Sequence, residues 1–100
     1  QAVLLGIVRL GEGAYGRAIL KDVQDHLLRP VAPGAVHATL SRLEARGLIA
    51  SRLGTGTPDH GGRARRFYRL LPKGLHSLND ARAAVNYLWQ GIKWPLKGSA

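Results

Sequence analysis

The residues with the clearest chemical meaning are the arginines that lie between Arg52 and Arg69. This segment holds five arginines and a single acid, Asp59, while the whole chain carries 15 Lys and Arg against 6 Asp and Glu. Guanidinium groups bind phosphate through paired hydrogen bonds, and a formal charge of +9 on 100 residues favours a polyanionic partner. We expect nucleic acid or an acidic membrane surface as that partner, against the plainer alternative of a basic protein with neither role.

Three of these arginines, Arg63, Arg65 and Arg66, follow directly after a Gly-Gly pair. Guanidinium groups beside a glycine-rich tip suit phosphate contacts or entry into a minor groove, whereas a solvated run of charge is the ordinary alternative. Side chains alternate along a strand, so Arg65 and Arg69 should share one face and Arg66 should lie on the other. We expect Arg63 and Arg65 to contact DNA, with Arg66 and Arg69 bracing the strands.

The predicted helix at residues 33–46, before this segment, has an outward face of small side chains. Val36, Leu40 and Leu43 point to one side, toward a core. Small residues bordered by hydrogen-bond donors let a helix approach base edges in a major groove, although an ordinary surface helix could carry the same residues. The outward residues are Gly34, His37, Ala38, Ser41, Arg42 and Ala45.

A glycine motif, Gly11-x-Gly13-x-x-Gly16, follows the first apolar run. It matches the dinucleotide fingerprint and also looks like the glycine loop of a protein kinase. A chain of 100 residues cannot hold the kinase machinery, and the region after the motif leads into a helix instead of a second parallel strand. We therefore favour a glycine turn between two helices over a nucleotide-binding enzyme.

Other catalytic or metal chemistry finds little support in the sequence. The four histidines, His26, His37, His60 and His76, are too far apart for a local metal motif, and the chain has no cysteine. The acids are too few to suggest a carboxylate pair. We predict no metal, no cofactor and no enzymatic activity. The longest apolar run, residues 2–8, is far short of the roughly 20 residues that a membrane span needs.

The elements that would position the arginines follow from hydrophobic periodicity and from proline and glycine punctuation. Together they predict a mainly α fold with one β-hairpin. A basic hairpin directly after a helix-turn-helix pair is typical of a winged helix-turn-helix domain. The predicted order is helices at 2–10, 15–28 and 33–46, strands at 48–50 and 66–70 around a loop at 54–62, and a last helix from Pro72 to Pro95.

The last helix carries an apolar stripe that a domain of this size cannot cover alone. Leu78, Ala81, Val85, Trp89 and Ile92 recur at three- and four-residue steps along it. We expect the same helix of a second subunit to cover the stripe, which divides the chain into a DNA-binding domain at 1–71 and a dimerisation helix at 72–96. Trp89 would then either pack at the dimer interface or line a cavity for a flat aromatic ligand.

The chain resembles the PadR family of bacterial winged-helix regulators from about residue 3 to residue 92. The resemblance rests on LGEGAYGRAI before and within the second helix, PGAVHATLSRLEARGLI across the third helix and first strand, and GGRARRFYRLLPKGL across the hairpin and the start of the last helix. It implies the short form of the family, a homodimer whose single C-terminal helix forms the dimer. It further implies an operator-binding protein that usually represses and that an aromatic or phenolic effector can release. The family commonly has tyrosine, near the DNA backbone, where this chain has His37.

Taken together, these observations predict a cytoplasmic transcriptional regulator that binds double-stranded DNA. The outward residues of the third helix from Gly34 to Arg42 would enter the major groove, while Tyr15 and Arg17 would add backbone contacts. Two subunits would read a pseudo-palindrome with half-sites about one helical turn apart. The alternative is a winged-helix module that contacts proteins without binding DNA.

Overall fold

The computed structural model describes residues 1–54 and 65–98, which form a small helical domain with one antiparallel hairpin. This architecture confirms the predicted mainly α fold with a β-hairpin. No helix in the described part of the chain is long and apolar enough to cross a membrane. In chain order the elements are α1 (Ala2–Leu10), a 3₁₀ turn (Gly11–Gly13), α2 (Gly16–Leu27), α3 (Pro33–Ala45), β1 (Ile49–Leu53), β2 (Arg66–Leu70) and α4 (Pro72–Leu88).

Helices α2 and α3 form a helix-turn-helix pair joined by residues 28–32. Leu28 ends α2 in the left-handed region, with a φ of 56°, and its side chain is 89% exposed. The side-chain oxygen of Gln24 then accepts a hydrogen bond from the Val31 amide at 3.0 Å, which fixes the turn. Pro33 occupies the first turn of α3, where a missing N–H costs nothing.

The hairpin is longer than the sequence predicted and is joined to the start of α2. Strand β1 extends beyond the expected residues 48–50, because Arg52 and Leu53 pair with Phe67 and Arg66 of β2. On its other edge, β2 donates a hydrogen bond from the Tyr68 amide to the Ala14 carbonyl at 2.8 Å. Strand β2 is therefore hydrogen-bonded on both edges, to β1 and to the segment before α2.

One apolar core lies between the three N-terminal helices, the hairpin and the first turns of α4. The apolar sequence of α1 predicts a helix buried among others, but Leu5 and Val8 are 39% and 53% exposed. It is therefore covered on one face only. The buried hydrophobic residues are Val3, Leu4, Ile7, Ala14, Ile19, Val23, Val36, Leu40, Ile49, Tyr68 and Leu78.

An ion pair fastens α1 to α2 at the edge of this core. The Arg9 guanidinium donates hydrogen bonds to both carboxylate oxygens of Asp22, with Nε 3.0 Å from Oδ2. Those hydrogen bonds hold the pKa of the Asp22 carboxyl below its ordinary value, and they outweigh the opposing effect of burial. The same contact raises the pKa of Arg9.

Helix α4 is anchored only at its beginning. The Leu71 amide donates to the Leu48 carbonyl at 3.0 Å, and Gly74 lies so close to that carbonyl that any Cβ would overlap it. From residue 82 to residue 98 every side chain is exposed. The helix ends at Leu88 and not, as predicted, at Pro95, because the backbone turns through Gly91 in the left-handed region (φ 83°).

Candidate nucleic-acid interface

The outward face of α3 is exposed along its whole length. Gly34, His37 and Ala38 lie on its first two turns and Ser41 and Arg42 on the next, all of them exposed. The opposite side packs into the core through Val36 and Leu40. The predicted division of this helix into a buried side and an exposed side is therefore present in the structure. We call the five exposed residues the small face of α3.

A groove of about 380 Å³ lies beside the small face, between α2, α3 and β2. Its floor is apolar and includes Leu20, Val36 and Leu40. Three arginines and a histidine also line the groove, and none of its lining residues in the described part of the chain is acidic. Four of the predicted DNA contacts are brought together here, namely Tyr15, Arg17, His37 and Arg65.

Two arginines and two aromatic rings contact one another in a row at the loop end of the paired strands. The Arg65 guanidinium lies 4.2 Å from the centroid of the Tyr15 ring, which meets Phe67 edge to face at 5.8 Å. On the far side, the Arg52 guanidinium lies 5.0 Å from the Phe67 centroid. We call these four residues the arginine–aromatic stack. Phe67 and Arg52 were absent from the predicted site, because the stack needs residues from two distant segments.

Arg66 braces the hairpin against α3, as the strand alternation suggested. Its guanidinium donates to the Ser51 hydroxyl at 2.9 Å, and that hydroxyl donates in turn to the Glu44 carboxylate at 2.6 Å. This chain of hydrogen bonds links the hairpin to α3. Arg69 is exposed on the side of the hairpin that faces α1. Arg63 lies outside the residues that the structure describes.

The four residues predicted for the dimer interface or an effector site differ in their exposure. Leu78 is only 9% exposed and belongs to the core of its own chain, so it is not available as an interface residue. Val85, Trp89 and Ile92 are 49%, 39% and 50% exposed, and Ile92 lies beyond the end of α4. The exposed apolar residues of α1, Leu5 and Val8, could not be singled out from the sequence, because nearly every residue of that helix is apolar.

The glycine motif forms a 3₁₀ turn between two helices. A dinucleotide fingerprint requires a strand before the first glycine, and α1 occupies that place. The geometry therefore favours the glycine turn that we preferred. Within residues 1–54 and 65–98 no three histidine or acidic side chains are grouped in a way that could hold a metal ion.

A helix-turn-helix pair with an exposed second helix, followed by a basic hairpin, defines a winged-helix protein, whose hairpin is called the wing. Comparison with known proteins identifies the family. The Transcriptional regulator PadR-like family matches residues 4–80 of this sequence. The chain belongs to this family. Its members are regulators and not enzymes, which confirms the prediction that the chain lacks catalytic activity.

Individual relatives agree with this assignment. Transcriptional regulator Rv3488 of Mycobacterium tuberculosis is 39% identical over 74 residues, which are 74% of this chain and 64% of that protein. The match thus spans less than two thirds of the relative's own length. A PadR family regulator from Eggerthella lenta has 33% identity and a TM-score of 0.69, covering 90% of this chain and 76% of its own. A PadR-like regulator from Bacillus cereus has 26% identity and a TM-score of 0.63, covering 90% of each chain.

Proposed function

We propose that this protein is a homodimeric, sequence-specific DNA-binding regulator that represses transcription in the cytoplasm and is released by a small aromatic or similar effector. The observation that carries the proposal is the position of the small face of α3 beside a groove rimmed by arginine. A helix with short outward side chains can approach base edges, while cations at its border bind the phosphates on either side. Family membership supports the same function.

The proposed contacts divide between bases and backbone. The small face of α3 enters the major groove, where Ser41 and Arg42 donate to base edges and Gly34 and Ala38 permit close approach. Tyr15 and Arg17 contact the backbone at the start of α2. Arg65, together with Arg63, contacts phosphates or a minor groove from the hairpin. His37 donates to a phosphate where relatives commonly carry tyrosine.

The proposed dimer is formed by residues 72–96, while residues 1–71 bind DNA. Three of the apolar residues predicted for the interface, Val85, Trp89 and Ile92, remain exposed in the single chain and require cover. Leu5 and Val8 of α1 are also exposed and also require cover. Helix α1 packs against the beginning of α4. An effector that stacks on Trp89 at this interface would change the distance between the two α3 helices, and so release the DNA.

Selection of bound sequences from random duplex DNA tests the proposal directly. We expect enrichment of a pseudo-palindrome whose half-sites lie about 10 base pairs apart. Affinity for the selected site should fall steeply with salt, because several phosphates are neutralised in each half-site. Repeating the selection with a panel of aromatic acids and phenols tests the effector. Absence of any enriched sequence, with binding to protein partners instead, would favour the interaction module.

A further inference from the structure

Strand β2 of the wing is bonded to the two residues that precede α2. Tyr15 pairs with Phe67 in an isolated antiparallel bridge, and the neighbouring Tyr68 amide is bonded to Ala14. The arginine–aromatic stack lies on this junction. The position of the Arg65 guanidinium relative to α2 therefore depends on how the Tyr15 and Phe67 rings pack.

Gly54 keeps space open for the Phe67 ring. A Cβ at this position would overlap the edge of the ring, so any other residue would force Phe67 to move. Gly54 also closes the described part of the hairpin, because its amide donates to the Arg65 carbonyl at 2.6 Å. One glycine thus accommodates the ring and fixes the backbone of the residue that carries the guanidinium.

We infer that Phe67 is a positioning residue for DNA binding, which acts through Tyr15 to hold the Arg65 guanidinium at the mouth of the groove beside α3. This inference rests on the proposed function, because it assumes that Arg65 contacts DNA phosphate. Phe67 itself need not touch DNA. Gly54 is required for the same purpose, since it leaves the place that the ring occupies.

Stacking suits this purpose because it orders the arginine through the face of the guanidinium. A guanidinium stacks on an aromatic ring through its face and binds phosphate through its edge, so the two contacts are compatible. A long side chain that is already ordered loses less conformational entropy when it binds. The second cation–ring contact, between Arg52 and Phe67, holds the opposite side of the stack.

A double-mutant cycle between Phe67 and Arg65 tests the inference. Phe67→Leu, Arg65→Gln and the double variant are measured by fluorescence anisotropy on the selected DNA over a salt series. We expect each single variant to bind about tenfold more weakly. The slope of log affinity against log salt concentration should also be smaller in magnitude by about one. If Phe67 acts through Arg65, the double variant should bind no more weakly than Arg65→Gln alone.

Three further variants separate positioning from folding. Phe67→Tyr retains the ring and should bind within about twofold of the unmodified protein, since stacking is preserved. Gly54→Ala displaces the ring without truncating it and should reproduce the Phe67→Leu defect, which keeps the test valid if Phe67→Leu folds poorly. Leu53→Ala, at an exposed neighbouring position, serves as the control and should leave binding unchanged.

The possible outcomes are distinct. The inference would be wrong if the two losses of DNA affinity multiplied in the double variant. It would also be wrong if Phe67→Leu left the affinity and its salt dependence unaltered. Either result would leave the proposed function intact. Arg65→Gln with full affinity would also overturn the inference, because no contact would remain for Phe67 to position. Failure of the unmodified protein to bind any duplex would instead remove the proposed function.

Discussion

At the scale of single residues, the ion pair between Asp22 of α2 and Arg9 of α1 joins two helices. The Asp22 side chain is 10% exposed and meets the Arg9 guanidinium from α1. Helix α1 can approach this closely because residue 6 is glycine: a Cβ there would lie 2.9 Å from Asp22 Oδ1. The ion pair therefore depends on a tight helix contact, which it also stabilises.

Asp22→Asn should lower the free energy of unfolding at pH 7 by about 1 kcal/mol, because it removes a charge-assisted hydrogen bond at a partly exposed site. The pKa of Asp22 is lower in the folded protein, so the unfolded chain binds the proton more tightly. The contribution is complete above the ordinary pKa of 3.8 and is lost as the pH falls through the lower folded value. Urea titrations of both proteins at pH 7 and at low pH measure this.

Asp25→Asn is the matched control, since Asp25 pairs with Lys21 at an i,i+4 spacing on an exposed surface. Such pairs contribute roughly 0.3–0.5 kcal/mol, so this variant should differ little from the unmodified protein. Equal destabilisation by the two variants would show that the contact between α1 and α2 does not depend on the ion pair between Arg9 and Asp22.

At the scale of elements, α3 combines two surfaces with opposite requirements. Its inner side needs bulk to fill the core, and Val36 and Leu40 supply it. In the proposed function its outer side needs short side chains, because each added methylene would keep the helix farther from a groove. Stability and recognition can therefore be changed separately on this helix.

Ala38→Leu should lower affinity for the selected DNA by about tenfold or more and leave thermal stability almost unchanged, because the added side chain points to solvent near the beginning of α3. Binding to random duplex should fall much less. Anisotropy on both DNAs, with a thermal melt, measures these effects. Ala45→Leu, on the same face at the far end of α3, is the control, and an equal loss from it would contradict the placement of α3.

The elements also show what the sequence could and could not predict. Periodicity and Pro33 located the helix-turn-helix pair to within a residue or two, because local propensity and burial agree there. The end of α4 was missed because the apolar stripe continues past Gly91, and the stripe was given more weight than the glycine. The length of β1 depends on its pairing with β2, which a short apolar run does not reveal.

The candidate site could likewise be predicted only in part from the sequence. Charge and small side chains pointed to α3 and the wing, whereas the separate roles of the arginines needed the fold. Arg66 meets Ser51 across the hairpin, and Arg65 meets Tyr15 from a distant segment. Contacts of this kind arise from tertiary packing, so no spacing rule in the sequence identifies them.

At the scale of the whole molecule, the main feature is the uncovered length of α4. Beyond Ala81 this helix makes no buried contact within the described chain, although Val85 and Trp89 recur along one side. The exposed apolar residues of α1 enlarge this surface. Exposed apolar residues of this kind support the proposed association of two subunits.

Val85→Glu should convert the proposed dimer to a monomer, because it would place a charge at the centre of the apolar interface. Sedimentation equilibrium should then give half the mass, and binding to the full palindrome should weaken strongly while the fold is retained by circular dichroism. Asn86→Glu adds the same charge at the next exposed position and should remain dimeric. A dimeric Val85→Glu protein would place the interface elsewhere.

The uncovered helix has a consequence for how the amount of protein sets the response. If only a second copy of the chain buries the apolar part of α4, dimerisation and apparent stability both depend on subunit concentration. Below the dimer dissociation constant, the dimer population grows as the square of the subunit concentration, and so does occupancy of a two-half-site operator. A modest change in synthesis or degradation of the chain would then produce a disproportionate change in occupancy, which gives the regulator a threshold without any effector.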